Sequence, residues 1–278
     1  MTKIGIIGQG YVGGAIKEGF KDYYVLDTYD KFDENKTTSS IKHIAVTSDI
    51  IFICVPTPME KNGSCHTDIV ENVIEEINSF VTDEQPVIVI KSTIPPGTTE
   101  KLNQKFKNLI IIFNPEFLTE AKFLEDFKNQ KRIILGGDRR GTNLLRQVYS
   151  KVFPNATIVK TGSNTAEMVK YFINSFLGTK VSFANEMKII CDNVGVDYDK
   201  VVEYATYDDR LGKTHWAVPG PDSDFGFGGH CLPKDINGLI SLAKQLNCGT
   251  EILESVLRVN DNVRTKRDWE DMKGRAVI

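Results

Sequence analysis

The stretch FGFGGHCLPKD, residues 225–235, places a cysteine where chemistry rather than packing is the economical explanation. Gly226, Gly228 and Gly229 let backbone and a bulky ligand approach one another closely. Cys231 follows, and a helix opening at Pro233 or Lys234 would leave the sulfur just before a helix N-terminus, where a thiolate is stabilised. Asp235, four residues on, lies within reach of the same place. The competing reading is a small hydrophobe in a turn, the usual condition of a free cysteine.

A second pattern, Gly8-Gln-Gly10-Tyr11-Val12-Gly13, follows the apolar run KIGII and leads into a helical pattern. Glycines at this spacing permit a tight turn, close approach of a pyrophosphate, and close helix–strand packing. The helix N-terminus favours phosphate. A ribose requires a carboxylate at the end of the second strand. Asp30, 22 residues after Gly8, is favoured over Asp27, and an acid there selects NAD over NADP, although Lys31 beside it weighs against that selection.

These residues need scaffolding, and the hydrophobic pattern supplies it. Apolar runs at 23–30, 49–56, 86–93, 109–116, 132–137 and 157–160 alternate with amphipathic stretches such as DIVENVIEEINSFV. The alternation predicts a Rossmann-like α/β domain, a parallel sheet covered on both faces, over residues 1–162. From 163 the period becomes helical. One helix runs nearly to Gly195, with Asn164 and Glu167 at capping-box spacing, and further helical stretches continue to the end, among them 251–273. Residues 163–278 therefore read as an all-helical central domain suited to dimerisation.

Composition excludes several classes. The chain has 278 residues, 41% hydrophobic and 26% charged, and a formal net charge of −3, so charge gives no reason to expect nucleic-acid binding. The N-terminus lacks the pattern of a signal peptide, and no apolar run is long enough for a membrane span, so a cytoplasmic location is expected. Five scattered cysteines without a C-x-x-C pair fit a reducing compartment. His43, His66 and His215 show no metal-ligand spacing, and no metal is expected.

Taken together, the sequence resembles the nucleotide-sugar (UDP-glucose/GDP-mannose) dehydrogenase family. The resemblance rests on GYVG (10–13), VPTP (55–58), KSTIPPGT (91–98), NPEFLTEA (114–121), EMVKYFIN (167–174), DDRLG (208–212) and the thiol loop, all in family order. It implies oxidation of a sugar C6 alcohol to a carboxylate with two molecules of NAD, with Cys231 as the nucleophile that captures the intermediate aldehyde. It also implies that Lys170 and Asn174, one turn apart, act at the C6 oxygen, and that Glu116, Asp235 and Thr93 position or activate water. Lys170 taken alone would read as a solvated helix lysine.

By the same resemblance, Val55, Pro56, Thr57, Thr93, Lys31 and Glu120 join the glycine loop at the cofactor. Phe117, Leu118, Arg210, Phe225 and Gly228 join the substrate residues. Arg210 would act from a neighbouring subunit of a homodimer built on the central helix; its competitor is an ion pair within DDR itself. His230 varies in the family and is read as a loop residue. HWAVPGPDSDFGFGG looks most like the UDP-glucose branch, with UDP-N-acetylmannosamine and GDP-mannose as the other substrates.

Family members run on into a third, UDP-binding domain, and DMKGRAVI resembles the opening of its first strand. The expectation is that NAD binding is retained, that nucleotide-sugar binding is weakened, and that the last strand is disordered or docked on a neighbour. Two other functions compete: a catalytically impaired cofactor-binding dimer or half of a split enzyme, and a two-electron hydroxyacid dehydrogenase, which needs no thiol loop.

Overall fold

The computed structural model describes residues 2–82 and 86–278. The chain forms two compact units: residues up to Thr57 with His66–Lys170, and Pro58–Cys65 with Tyr171–Ile278. The expected boundary at 162 therefore shifts into the long helix, because that helix is continuous and its first turns pack with the sheet.

The first unit alternates strand and helix. β1 (Lys3–Ile7), α1 (Tyr11–Phe20), β2 (Val25–Tyr29), α2 (Ile41–Thr47), β3 (Ile50–Ile53), α3 (Asp68–Phe80) and β4 (Val87–Ile90) come first. α4 (Thr98–Lys105), β5 (Ile110–Phe113), α5 (Phe123–Lys128), β6 (Arg132–Gly137), α6 (Arg139–Val152) and β7 (Thr157–Thr161) follow. The seven-stranded sheet has the order β2-β1-β3-β4-β5-β6-β7. β3 and β4 are buried at every position, as their unbroken apolar runs require.

Alternate strand residues serve opposite faces. Ile51, Ile53, Ile88, Ile90 and Ile111 pack with Ile44 of α2, Ile74 of α3 and Leu102 of α4. Ile50, Phe52, Val87, Val89 and Ile112 pack with Phe20 of α1, Phe127 of α5 and Tyr149 of α6. Gly19 lets α1 approach α5, since a Cβ there would stand 2.4 Å from the Phe127 ring.

Two strands depart from the all-parallel expectation, β6 and, parallel to it, β7. β6 runs antiparallel to β5, paired at Ile112 with Gly137 and Phe113 with Gly136. The connection between them carries the single turn Glu120–Lys122 and the six-residue α5.

α7 (Ser163–Val194) spans 32 residues and ends where Gly195 takes φ 80° and the Val196 amide bonds back to the Cys191 carbonyl. The capping box at Asn164 and Glu167 does not form. The helix begins two residues earlier, at Ser163, with the Ala166 amide on the Gly162 carbonyl, which frees Glu167 for another task.

The second unit continues with α8 (Tyr198–Ala205), α9 (Cys231–Gln245) and α10 (Glu251–Val263). The helical pattern over 251–273 breaks after Val263: Arg264 is extended and its guanidinium turns into the 222–228 loop, and only a single turn, Asp268–Asp271, re-forms. The last residues pair with the backbone of the same unit. Met59 donates its amide to the Ala276 carbonyl at 2.7 Å and accepts from the Ile278 amide at 3.1 Å, so the 58–65 segment supplies a strand-like partner. No described helix is long and apolar enough to cross a membrane.

Candidate active site

The glycine loop lies where β1 and β3 part to opposite connections, the switch point at which open α/β sheets bind ligands. Gly8 has φ 90°, and a Cβ there would stand 2.6 Å from the Cys54 carbonyl oxygen at the end of β3. A Cβ on Gly13 would meet the Gly8 carbonyl oxygen at 1.9 Å, whereas one on Gly10 would meet nothing within 4 Å. Gly8 and Gly13 thus let the turn close, and Gly10 keeps the space above it open.

α1 has no side-chain cap and no acid in its first turn, which leaves the loop suited to an anion. Asp30 Oδ2 accepts the Gln9 amide at 2.7 Å, so its carboxylate reaches this loop. Asp27 instead accepts from Ser39 Oγ and stands 3.7 Å from His43. The open cradle and the acid beside it fit a dinucleotide.

Around the loop, Ser92 donates to the Val55 carbonyl at 2.6 Å and Thr57 to the Thr93 carbonyl at 2.8 Å, tying the two loops that carry Val55, Pro56, Thr57 and Thr93. Tyr11 meets Phe123 edge-on at 5.1 Å, Val12 packs into the core, and Lys31 is exposed beside Phe32. Cys54 is inert: burial pushes its thiol up to about 12.

Just past the C-terminal ends of β4 and β5 a buried polar network forms. Lys91 pairs with Glu116 at 2.9 Å and donates to Asn114 Oδ1 at 3.0 Å, which also accepts the Tyr149 hydroxyl at 2.6 Å. Lys170 is buried, not solvated, and donates to the Glu116 carbonyl at 2.6 Å. Phe117 lies under both Lys170 and Arg132, at 5.8 and 4.7 Å, while Leu118 packs against the core. Glu120 is half-buried and opens the single turn Glu120–Lys122.

In the second unit Cys231 is itself the first residue of α9, with His230 at the cap position. The expected start at Pro233 or Lys234 moves because Pro233, which has no amide hydrogen to offer, is tolerated inside the first turn. The thiol is half-buried, and His230 Nε2 stands 3.4 Å from Sγ, so His230 is a neighbour of the sulfur rather than a bystander in the loop.

Behind the thiol, Asp235 is held on both oxygens. Asn174 Nδ2 donates to Oδ2 at 2.6 Å and Lys234 Nζ to Oδ1 at 2.6 Å, all three residues being buried. Burial pulls the Lys234 pKa down, but the charge of Asp235, then Cys65, the Asp235 hydrogen bond and Cys231 outweigh it and raise the pKa above 10.5. A fixed ammonium therefore stands in the field of the thiol.

Phe225 is exposed at the head of the loop. Arg210 is exposed as well and forks onto Asp208 in its own turn, the ion pair that competed with a substrate role. Gly228 has a packing reason for being glycine: a Cβ there would stand 2.0 Å from Arg264 Nη2. Sequence reasoning missed Lys91, Lys234 and the role of Glu167. A lysine adjoining a named acid or strand end was the only available signal for the first two.

A switch-point glycine loop, and a cysteine opening a helix beside a buried Asn-Asp-Lys chain, define a dinucleotide-binding protein equipped with a thiol. The chain belongs to the UDP-glucose/GDP-mannose dehydrogenase family: residues 24–153 match its NAD binding domain and residues 164–262 its central domain. UDP-glucose 6-dehydrogenase of Rickettsia bellii is 35% identical over 256 residues, 87% of this chain and 57% of that protein. GDP-mannose 6-dehydrogenase of Pseudomonas aeruginosa is 34% identical over 275 residues, 94% of this chain and 61% of that protein. The UDP-glucose dehydrogenase structure from Pyrobaculum islandicum superposes with TM-score 0.86 at 30% identity, covering 94% of this chain and 68% of that one. The chain thus spans between a half and two thirds of the length of the first two relatives.

Proposed function

We propose that the protein is an NAD-dependent nucleotide-sugar 6-dehydrogenase acting on UDP-glucose, oxidising the C6 alcohol to a carboxylate in two steps. The observation that carries this reading is Cys231 at the head of α9 with the Asn174-Asp235-Lys234 chain behind it. A two-electron hydroxyacid dehydrogenase needs no such thiol.

NAD, when held at the glycine loop by Gly8, Gly10, Gly13 and Asp30, would supply the hydride acceptor for each step. Lys170 stabilises the alkoxide that gives up the first hydride. Cys231 Sγ then bonds to C6 of the aldehyde, and the carbonyl oxygen gains a proton, giving a thiohemiacetal. Loss of the second hydride and the hydroxyl proton leaves a thioester. Water, positioned by Glu116, Asp235 and Thr93, cleaves the carbon–sulfur bond, releasing the carboxylate and returning the thiol. Asn174 orients Asp235 as well as the C6 oxygen. Gly8, Gly10, Gly13 and Asp30 hold the cofactor, and Glu120 adjoins it.

The apolar residues Phe172, Phe176, Phe183, Ile190 and Val194 are exposed along α7, and we assign them to a homodimer interface. Sedimentation of the parent and of Phe176→Glu tests that assignment.

Counting NADH formed per sugar consumed, for the parent and Cys231→Ser, tests the reaction. Two NADH per UDP-glucose, abolished in the variant, is the expected result. Activity confined to a GDP-mannose or UDP-N-acetylmannosamine arm would move the substrate. NAD binding without turnover in any arm would overturn the enzyme reading in favour of a cofactor-binding protein.

A further inference from the structure

The thiol loop is held by side chains from outside it. The Gly226 amide donates to Asn185 Oδ1 at 3.1 Å. Phe227 is gripped on both sides by Asn260, its amide donating at 2.6 Å and its carbonyl accepting at 3.0 Å. Nearest the sulfur, the Gly229 amide donates to Asp268 Oδ2 at 2.9 Å.

Asp268 is in turn fixed by Arg264, at 3.0 Å, whose side chain is only 3% exposed. The same guanidinium reaches Asp222 at 2.6 Å, Asp224 at 3.7 Å and the Phe225 carbonyl at 3.3 Å. Burial works against this charge, but Asp222 and Asp268 outweigh it and hold the guanidinium protonated.

The pair presses on the loop backbone. A Cβ on Gly228 would meet Arg264 Nη2 at 2.0 Å and Asp268 Oδ1 at 2.3 Å, so only glycine admits it. Gly229 takes φ 68°, a conformation that glycine adopts without strain. Two residues later the chain enters α9 at Cys231.

We propose that Asp268 and Arg264 are positioning residues for Cys231: Asp268 fixes the Gly229 amide, Arg264 fixes Asp268, and the sulfur is thereby kept in the first turn of α9. This rests on Cys231 being the reactive thiol, and its test is made without substrate, so that the two ideas fail separately.

The rate of iodoacetamide alkylation at Cys231 is followed by peptide mass spectrometry across pH 6 to roughly 9.5, a range spanning the ordinary thiol pKa, with exposed Cys248 as internal reference. In Asp268→Ala, alkylation of Cys231 at neutral pH should fall about ten-fold and the midpoint of its pH profile should rise, because a thiolate loses the helix N-terminus. Asp268→Asn keeps an oxygen for the Gly229 amide and should restore the rate to within about three-fold, given the modest net worth of one hydrogen bond. Cys248 should not change.

A folded Asp268→Ala protein whose Cys231 profile coincides with the parent overturns the proposal, as does equal loss in Asp268→Asn. Should Asp268→Ala fail to fold, amide exchange at Gly229 in the unaltered protein decides: protection supports the anchor, and exchange at the unprotected rate removes it. A parent that alkylates as described but forms no NADH would sink the dehydrogenase reading and leave the positioning roles standing.

Discussion

Lys234 and Asp235, adjacent in sequence, form a buried ion pair at 2.6 Å, and the second oxygen of Asp235 is taken by Asn174. Neighbours on a helix do not ordinarily face each other. Here the first turn of α9 lets the long lysine fold back onto the acid. Removing one partner leaves the other charge buried and unpaired. Asp235→Asn and Lys234→Met should each cost about 3–5 kcal/mol of stability. The double variant should cost much less than the sum, because no bare charge remains. Urea denaturation of the three variants measures the coupling. Additive losses would mean that the pair is not a unit.

The cofactor carboxylate separates two candidates that spacing left close. Asp30 reaches the glycine loop through the Gln9 amide, while Asp27 is engaged by Ser39. Asp30→Ala should weaken NAD by about ten- to a hundred-fold, the worth of one charge-assisted hydrogen bond. Asp27→Ala should leave affinity within about two-fold, as expected for a residue outside the contact. Calorimetric titration with NAD distinguishes them, and the reverse order would transfer the ribose role to Asp27.

What the sequence disclosed, and what it withheld, follows from range. Sheet strands show as apolar runs because each of Ile50–Ile53 and Val87–Ile90 is buried, and the glycine loop shows because its constraints are local. The antiparallel β6 does not show, since strand direction depends on a connection whose path no periodicity records. The partners of Lys91, Glu167 and Asp268 lie 25, 68 and 39 residues away in sequence, so their bonds are set by tertiary packing. The thiol loop itself was legible; what anchors it was not. Arg264, which ends α10, reads as one more polar position of a continuing helix until the loop it enters is known.

Glu167 illustrates the same point energetically. It is fully buried and accepts the Gly97 amide at 2.7 Å and the Thr99 amide at 2.8 Å, with the Thr99 hydroxyl at 2.6 Å, so a side chain of α7 closes the N-terminus of α4. Burial raises its pKa above the ordinary 4.5, outweighing the pull of the Thr99 and Gly97 bonds. A raised carboxyl pKa means that the folded state binds more protons than the unfolded one. Its contribution is therefore greatest below 4.5 and declines as pH rises through the folded value. The stability advantage of the parent over Glu167→Gln should be largest in acid and narrow on going toward neutrality. Paired melting curves from pH 4 to about 7 would show it, that range bracketing the carboxyl transition. A gap that widens with pH would mean that the hydrogen bonds to the ionised form dominate instead.

The two later glycines of the loop should fail in different ways. A Cβ on Gly13 would collide with backbone, the Gly8 carbonyl at 1.9 Å, and no rotation of a side chain can relieve that. Gly13→Ala should thus lose about 2 kcal/mol or more of stability, the scale of overpacking strain, and NAD binding with it. A Cβ on Gly10 would meet nothing within 4 Å. Gly10→Ala should melt within about 2 °C of the parent, as a substitution without strain does, yet the methyl occupies the open space above the turn. Its NAD affinity should fall by about ten-fold or more, since the second glycine of such a loop is there for the pyrophosphate. Melting and titration on the same two samples separate the effects. If Gly10→Ala binds NAD as the parent does, the open face of the loop is not where the phosphates lie, and the cofactor contacts must be sought along Val55–Thr57.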